Sequence, residues 1–315
     1  MSDRNFFLHP PAQSTTRYVQ WYEKLLNTPG IDYGCILDKR IIPLHPGDLM
    51  AVVARPGHGK SSFMAYMAKR TASRIVESKQ ENKCIVYVSW EQPIEELEAF
   101  FQSGINYNST DLAWGRVPLD LVKEHSIKRI NLPIWMIGYS IGDADQKKPP
   151  MTIDLVYETI RVIKYEYGLE PELVLLDYLQ IIPITGKRVE RVEQVTEATI
   201  NSKHLAKELG VGIIAGVQAS RQADKHKESP PTMDEAQWSS AIEQTADKQI
   251  SLLKASKALE LGSYIDVGGS EYQVDDGLLI IKLLKQRFDS GTGIWPVHFE
   301  PQTLTIRDYT KHSME

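Results

Sequence analysis

The amino-acid sequence predicts an α/β fold, with a mainly parallel twisted sheet flanked by helices and antiparallel strands added near its carboxyl end. Short runs of consecutive apolar residues, typical of strands buried on both faces, alternate with longer segments whose apolar residues recur at helical spacing. The last apolar runs lie close together, which favours antiparallel pairing. The chain has 315 residues, 42% hydrophobic and 24% charged, so it is long enough to bury such a sheet.

Composition and charge exclude several classes of protein. The net charge of −5 argues against a protein that coats nucleic acid by bulk charge, although it is compatible with a local basic groove. No apolar run approaches the roughly 18–20 residues that cross a bilayer, and the first residues lack the apolar stretch of a signal peptide. Cys35 and Cys84 make neither a disulfide framework nor a zinc cluster. We therefore expect a cytoplasmic protein that does not enter a membrane.

The first predicted element is a helix from Thr16 to Leu26, in which apolar residues stand at helical spacing. The cluster Asn27-Thr28-Pro29-Gly30 ends this helix, because proline and glycine break helical structure. The helix either folds onto its own core or packs on a neighbouring copy, and the sequence leaves both alternatives open. We expect residues 1–40 to form an arm with this helix, and residues 41–315 to form one domain.

The α/β core is predicted to begin after Gly47, with strands and helices in alternation. The predicted strands are 49–54, 84–89, 173–176, 211–217, 250–253 and 278–284, followed by antiparallel strands at 294–299 and 303–306. The predicted helices begin at Lys60 and at Pro93, and three more cover about 118–126, 153–167 and 190–209. Residues 108–150 have the weakest pattern, and 138–150 read as a connection rich in proline, glycine and aspartate.

The strongest chemical signal is Ala54-Arg55-Pro56-Gly57-His58-Gly59-Lys60-Ser61, which with Ser62 forms a predicted nucleotide-binding loop. It matches the Walker A pattern with alanine in place of the first glycine, and it lies between a strand and a helix. Glycines there let backbone N–H groups surround phosphate oxygens, and the helix N-terminus adds a favourable dipole. We predict that Lys60 binds the β- and γ-phosphates of ATP and that Ser61 binds Mg²⁺. An ordinary glycine-rich turn is the disfavoured alternative.

Two acids follow predicted strands. Asp177 follows residues 173–176 and is predicted to hold Mg²⁺ through water, as a Walker B acid does, although such an aspartate alone is usually a turn residue. Glu91 follows residues 84–89, where an acid at the carboxyl end of a neighbouring strand can orient or deprotonate water. The alternative for Glu91 is an electrostatic role at the start of the helix that begins at Pro93.

Polar residues at two further strand ends are weaker candidates. Gln218 is placed to hydrogen-bond the γ-phosphate or the attacking water. Lys285 and Arg287 stand two positions apart and therefore point to the same side. Such a pair can neutralise transition-state charge on a phosphate, although most such pairs are solvated strand ends.

In their order along the chain, these motifs resemble the RecA-like motor domain of the DnaB family of replicative helicases. The resemblance covers about Tyr18 to Tyr309 and rests on seven segments in order. These are Pro46-Gly47-Asp48-Leu49, the loop 54–61, Asp177-Tyr178-Leu179-Gln180, Leu205-Ala206-Lys207-Glu208-Leu209, Gln218 with Arg221, Ala241-Ile242-Glu243-Gln244-Thr245-Ala246-Asp247, and Lys285-Gln286-Arg287.

The resemblance implies a RecA-like P-loop ATPase that uses ATP and Mg²⁺, with Glu91 as the catalytic glutamate and Gln218 as the γ-phosphate sensor. It also implies a homo-oligomeric ring, usually of six subunits, with ATP at each subunit junction. Lys285 and Arg287 would reach the ATP of the neighbouring subunit. The helix at 16–26 is placed like a linker helix that docks on the adjacent subunit.

The resemblance further implies that loops at about 185–195 and 221–240 follow one strand of single-stranded DNA through its phosphates. The cations available in these loops are Arg188, Arg191, Arg221, Lys225 and Lys227. The alternative for them is a solvated charged loop.

Two features depart from the family pattern. Family members usually carry a helical N-terminal domain, whereas some 40 residues precede Gly47 here, so a separate replication or loader protein is an expected partner. Gln237 and Trp238 stand where an arginine is usual, before the segment 241–247. Trp238 either stacks on a base or lies buried or in an interface.

Two functions follow from these patterns. The first is an ATP-dependent DNA helicase or translocase that acts as a ring on single-stranded DNA. The alternative is a RecA-like ATPase switch that regulates a protein or DNA-repair assembly without unwinding. A monomeric small-molecule kinase fits the nucleotide-binding loop but leaves Lys285 and Arg287 unexplained.

Overall fold

The computed structural model describes residues 8–27, 30–103, 107–142, 148–184, 190–236 and 239–310. The strands in these ranges are β1 (Leu49–Ala54), β2 (Lys83–Ser89), β3 (Ile134–Ile137), β4 (Glu170–Asp177), β5 (Gly212–Gln218), β6 (Lys248–Lys254), β7 (Tyr264–Asp266), β8 (Glu271–Gln273), β9 (Leu278–Gln286), β10 (Gly293–Glu300) and β11 (Thr305–Asp308). The helices are α1 (Pro11–Asn27), α2 (Lys60–Glu77), α3 (Ile94–Gln102), α4 (Ser109–Ala113), α5 (Leu119–Ile130), α6 (Ile153–Glu166), α7 (Arg191–Leu209) and α8 (Ser239–Thr245).

Nine of these strands form one sheet, in the order β11-β10-β9-β6-β1-β5-β4-β2-β3. The six strands from β6 to β3 pair in parallel, and β9, β10 and β11 continue the sheet with antiparallel pairing. The predicted fold class is therefore confirmed, including the antiparallel strands near the carboxyl end. Strands β7 and β8 form a separate hairpin.

The parallel strands β1, β2 and β4 each contain a run of consecutive apolar residues, because both faces of the sheet are covered by helices. All six residues of β1 are buried, and they alternate between two hydrophobic clusters. Met50 and Val52 face the cluster that contains the apolar residues of α2 and α3, whereas Ala51 and Val53 face the cluster beneath α6, α7 and α8. None of the described helices combines the length and apolar character needed to span a bilayer.

Several short elements were not predicted. Strand β3 lies in the weakly patterned segment 108–150, and only its first residue is buried, so its four residues lack a clear apolar run. Helix α4 and the β7–β8 hairpin are also short. The predicted helix at 118–126 is instead α5, which continues to Ile130.

Helix α1 begins at Pro11, earlier than the predicted Thr16, and buries none of its residues. The ring of Tyr18 packs beside those of Trp21 and Tyr22 on its surface, and all three are about half exposed. Packing of this helix on its own core, one of the two alternatives, is therefore not observed. Farther along the arm, Tyr33 is fully buried within the same cluster as α2, so part of the segment 1–40 belongs to the core.

Candidate nucleotide-binding site

The predicted nucleotide-binding loop connects β1, in the centre of the sheet, to α2. Gly57 and Gly59 have φ values of +76° and +91°, which only glycine adopts without strain. A hydrogen bond of 3.1 Å from the His58 amide to the Arg55 carbonyl closes the turn. Open space surrounds the position that a side chain at Gly57 would occupy. The loop thus has the strand–loop–helix geometry that lets backbone N–H groups surround a phosphate.

The loop forms one wall of a cleft of about 380 Å³. Its residues 54–62 all line this cleft except His58, which is largely buried. The cleft is also lined by residues to which the sequence analysis gave no role: Phe100, Tyr178, Lys254, Asp276, Leu279, Phe299 and Pro301. Apolar groups beside a phosphate loop suit the base and ribose of a nucleotide, because such sites are mostly apolar with a few polar anchors.

Lys60, Ser61 and Asp177 converge at the floor of the cleft. Lys60 forms an ion pair with Asp177, and the Ser61 hydroxyl donates a 2.8 Å hydrogen bond to the second carboxylate oxygen. Asp177 also accepts a hydrogen bond of 3.3 Å from Tyr87. Burial, and then the charge of Asp177, raise the pKa of Tyr87 well above its usual value, so the phenol remains a donor. The hydroxyl and carboxylate oxygens are hard ligands that fit Mg²⁺.

Glu91 and Gln218 line the same cleft, and each lies at or just beyond the carboxyl end of its strand. Glu91 is exposed, as a residue that contacts water or substrate must be. Gln218 is held by the buried side chain of Gln180, which donates to its carbonyl at 3.0 Å and accepts from its amide at 3.2 Å. Sequence reasoning missed this role of Gln180, because nothing in the sequence pairs two positions 38 residues apart.

Arg55 belongs to the predicted nucleotide-binding loop, but its guanidinium binds another segment of the protein. Its side chain is buried and its guanidinium donates to the carbonyl oxygens of Ala223, His226 and Ser229, at distances between 2.5 and 3.2 Å. The nucleotide-binding loop is therefore tied directly to the segment 223–229, which belongs to one of the two predicted DNA-facing loops.

Lys285 and Arg287 lie far from this cleft. In the antiparallel pairing of β9 with β6, Leu279 lies at the edge that carries the nucleotide-binding loop, whereas Lys285 lies near the opposite end. The two positions are six residues apart on the strand, which corresponds to roughly 20 Å. Strand β9 also runs two residues further than predicted, so Lys285 lies within it. Neither cation lines the cleft of its own chain.

Both cations are engaged at that opposite edge. The Arg287 Nε atom lies 3.1 Å from a carboxylate oxygen of Asp247, and Lys285 donates to the carbonyl of Glu243. Burial, and then the charge of Arg287, lower the pKa of Lys285. Asp247 is itself buried and also binds the ammonium of Lys203 at 2.5 Å. Arg287 is thus anchored through Nε, while half of its side chain remains exposed.

Replacing Asp247 by alanine is expected to lower the free energy of unfolding by about 3–5 kcal/mol, because Lys203 would become a buried ammonium without its carboxylate. Replacing Arg287 by alanine should cost less than about 1 kcal/mol, because its side chain is 49% exposed. Urea denaturation followed by circular dichroism measures both changes. Equal losses in the two variants would contradict this assignment of the buried pair.

The candidate DNA-binding cations are only partly described. Arg191 begins α7 and donates to the carbonyl of Gln180 at 3.2 Å. Lys225 and Lys227 are exposed on one loop. The side chain of Arg221, and all of Arg188, Gln237 and Trp238, lie outside the described residues, so the structure brings together two of the five predicted cations.

Comparison with known proteins identifies relatives of this chain. A family model described as "DnaB-like helicase C terminal domain" matches residues 30–307. The replicative DNA helicase DnaB of Rickettsia prowazekii is 28% identical over 224 residues, 69% of this chain and 44% of that protein. The DnaB helicase of Mycoplasma pneumoniae is 28% identical over 233 residues, 72% of this chain and 47% of that protein. The chain spans less than half the length of these curated relatives.

Two solved structures have the same fold. One, described as an ATPase domain, superimposes with a TM-score of 0.74 at 18% identity, covering 96% of this chain and all of that one. A DnaB-like replicative helicase, described with its interactions with primase, superimposes with a TM-score of 0.73 at 18% identity. That match covers 94% of this chain and 66% of the other.

Proposed function

Because this chain belongs to the family of DnaB-like helicase C-terminal domains, we propose that it hydrolyses ATP at subunit junctions of a ring that moves along single-stranded DNA. One observation carries the proposal. The phosphate-binding groups and the two cations Lys285 and Arg287 lie at opposite edges of the sheet, since Leu279, which lines the cleft, and Lys285 are roughly 20 Å apart along β9. A complete site therefore needs two copies, each supplying one edge.

Each residue of the cleft has a defined part in this reaction. Lys60 would leave Asp177 and bind the β- and γ-phosphates. Ser61 and Asp177 would hold Mg²⁺, which when bound neutralises phosphate charge. Glu91 would orient the attacking water and accept its proton, because it is exposed at the end of β2 and faces the cleft. Gln218, braced by Gln180, would hydrogen-bond the γ-phosphate.

The second copy would complete the site with Arg287. A contact between opposite edges is head-to-tail, and such contacts close into rings when the rotation between copies permits it. Arg287 is suited to this because its Nε atom is held by Asp247 while 49% of its side chain remains exposed. The exposed aromatic face of α1 supports a second contact with a neighbouring copy, since isolated aromatic clusters are costly to leave in water.

ATP and DNA would be coupled through Arg55. Its guanidinium links the nucleotide-binding loop to the segment that carries Lys225 and Lys227, so movement of one displaces the other. Exposed lysines contact DNA phosphates without reading sequence. We propose that this loop, with Arg188, Arg191 and Arg221, follows the single strand, and that a separate replication or loader protein assists the ring.

The proposal predicts ATP turnover that single-stranded DNA stimulates. We expect oligo(dT) to raise the rate of phosphate release severalfold, and this stimulation to weaken between about 50 and 200 mM salt as phosphate contacts are screened. Replacing Lys225 and Lys227 by alanine should weaken the stimulation. Replacing Lys39 and Lys79, two exposed lysines elsewhere, serves as the matched control.

Turnover that ignores single-stranded DNA at low salt would contradict the translocase. If nucleotide alone then changed the particle size in solution, the protein would instead be an ATPase switch that governs an assembly. Both measurements use the full chain.

A further inference from the structure

Phe288 occupies an unusual position at the tip of a tight turn. A bridge between Gln286 and Asp289 leaves Arg287 and Phe288 as the two central residues of this turn. The Phe288 side chain is 96% exposed and its φ is +69°, in the left-handed region. A bulky residue is rarely found there, because its Cβ crowds the backbone. Such strain is retained mostly at functional sites.

The turn that carries Phe288 is held firmly. The Gln286 side chain donates to Asp289 at 2.9 Å and accepts from the Ile42 amide at 3.0 Å. Asp289 in turn accepts from the Gly291 amide at 2.8 Å. The backbone of the turn is therefore held in place, and it carries the exposed ring beside the arginine that is anchored to Asp247.

A groove of about 640 Å³ lies between α3 and α4 of the same fold. Its apolar surface includes Ala99, Phe100 and Leu112. Among the described residues that line it there are three glutamates and no basic side chain. Glu95 and Glu96 are exposed, whereas Glu98 forms an ion pair with Arg129. Phe100 and Gln92 line both this groove and the nucleotide cleft, so the two cavities share a wall.

We propose that the Phe288 ring of one copy inserts into the α3–α4 groove of the next copy, while Arg287 enters the adjoining cleft. This inference rests on the proposed ring, and it names the surface that aligns each junction. Consecutive Cα atoms are about 3.8 Å apart, so one docked turn can reach two cavities that share a wall. The basic pair Lys285 and Arg287 would approach the acidic rim of the groove, which favours this orientation.

The docked ring also bears on catalysis. Helix α3 begins three residues after Glu91, so a side chain wedged against α3 fixes the segment that carries the proposed catalytic glutamate. Docking of the turn would then bring Arg287 of one copy into the cleft of the next and align Glu91 there at the same time.

Cysteine cross-linking tests the contact directly. We expect the variant Phe288→Cys with Ala99→Cys to form a ladder of cross-linked copies when oxidised with a non-hydrolysable ATP analogue and oligo(dT). The native Cys84 is buried, and burial raises the pKa of Cys35 to about 12, so both react slowly. Leu261→Cys with Ala99→Cys is the matched control, because Leu261 is another exposed apolar turn residue.

Strain relief provides a second measurement. Phe288→Gly removes both the ring and the left-handed strain, so the thermal midpoint should rise by roughly 1–3 °C while DNA-stimulated turnover falls about tenfold. Lys79→Gly, at an exposed residue with φ +55°, should raise the midpoint without lowering turnover.

The outcomes separate this inference from the proposed function. Absence of the ladder, or wild-type turnover in Phe288→Gly, would overturn the Phe288 contact even if Arg287 proves essential in the neighbouring copy. If the wild-type protein neither assembled nor hydrolysed ATP faster with DNA, the proposed ring itself would be wrong. If the Leu261 control also formed the ladder, cross-linking would reflect random encounters between copies, and this result would likewise contradict the Phe288 contact.

Discussion

Replacing Lys60 by alanine is expected to lower ATP turnover about 10²–10³-fold, the effect of removing a preorganised charge that stabilises the transition state. The Lys60 side chain is 14% exposed and is paired with Asp177, so water does not take the place of its ammonium when Lys60 is removed. Phosphate release at saturating ATP, with and without oligo(dT), measures the change. The loss should appear under both conditions, because Lys60 would bind phosphate in every state of the ring.

The same substitution leaves Asp177 without its ion-pair partner, so loss of activity must be separated from loss of fold. Because the carboxylate keeps its hydrogen bonds from Ser61 and Tyr87, we expect only about 1–3 kcal/mol of destabilisation. Urea denaturation should therefore show a folded Lys60→Ala protein. Lys39→Ala, at an exposed lysine, is the control. Turnover within about threefold of wild type in Lys60→Ala would contradict the assignment of the phosphate site.

Mixing two inactive variants is expected to restore ATP turnover. Arg287→Ala should lower turnover on the order of 10³-fold or more if it acts as an arginine finger, and Glu91→Gln should remove the group that accepts a proton from water. In a ring that pairs the cleft of one copy with the arginine of the next, an equal mixture contains about a quarter intact junctions. We therefore expect the mixture to recover up to about a quarter of the wild-type rate, if junctions act independently.

No recovery on mixing would indicate that Arg287 serves its own chain, which the roughly 20 Å separation along β9 argues against. Arg307→Ala is a suitable control for the arginine substitution, because that side chain is 61% exposed and paired with Glu300 on the surface. It should retain turnover alone. Subunits must be denatured together or mixed without nucleotide, so that the copies exchange before the rate of phosphate release is measured.

The sequence by itself determined the core elements and the order of the motifs. Strand β1 is an unbroken apolar run, β4 contains the apolar run 173–176, and the buried face of α2 shows its helical spacing directly. These signals are local. A strand that is buried on both faces is a run of apolar residues, and a helix that is buried on one face has apolar residues at helical spacing. The nucleotide-binding loop was predictable for the same reason, since its glycines, Lys60 and Ser61 are contiguous.

The tertiary structure alone decided which distant residues meet. It paired Gln180 with Gln218, joined Arg55 to the segment 223–229, and set Arg287 at the edge opposite the cleft. It also set the backbone of Phe288 in the left-handed region, within the turn closed by Gln286 and Asp289. These relations depend on strand order and register, which are set by packing between segments far apart in the chain. The spacing of apolar residues within a segment does not indicate such long-range contacts. Strand β3 was missed for a different reason, because four residues are too few to show a clear pattern.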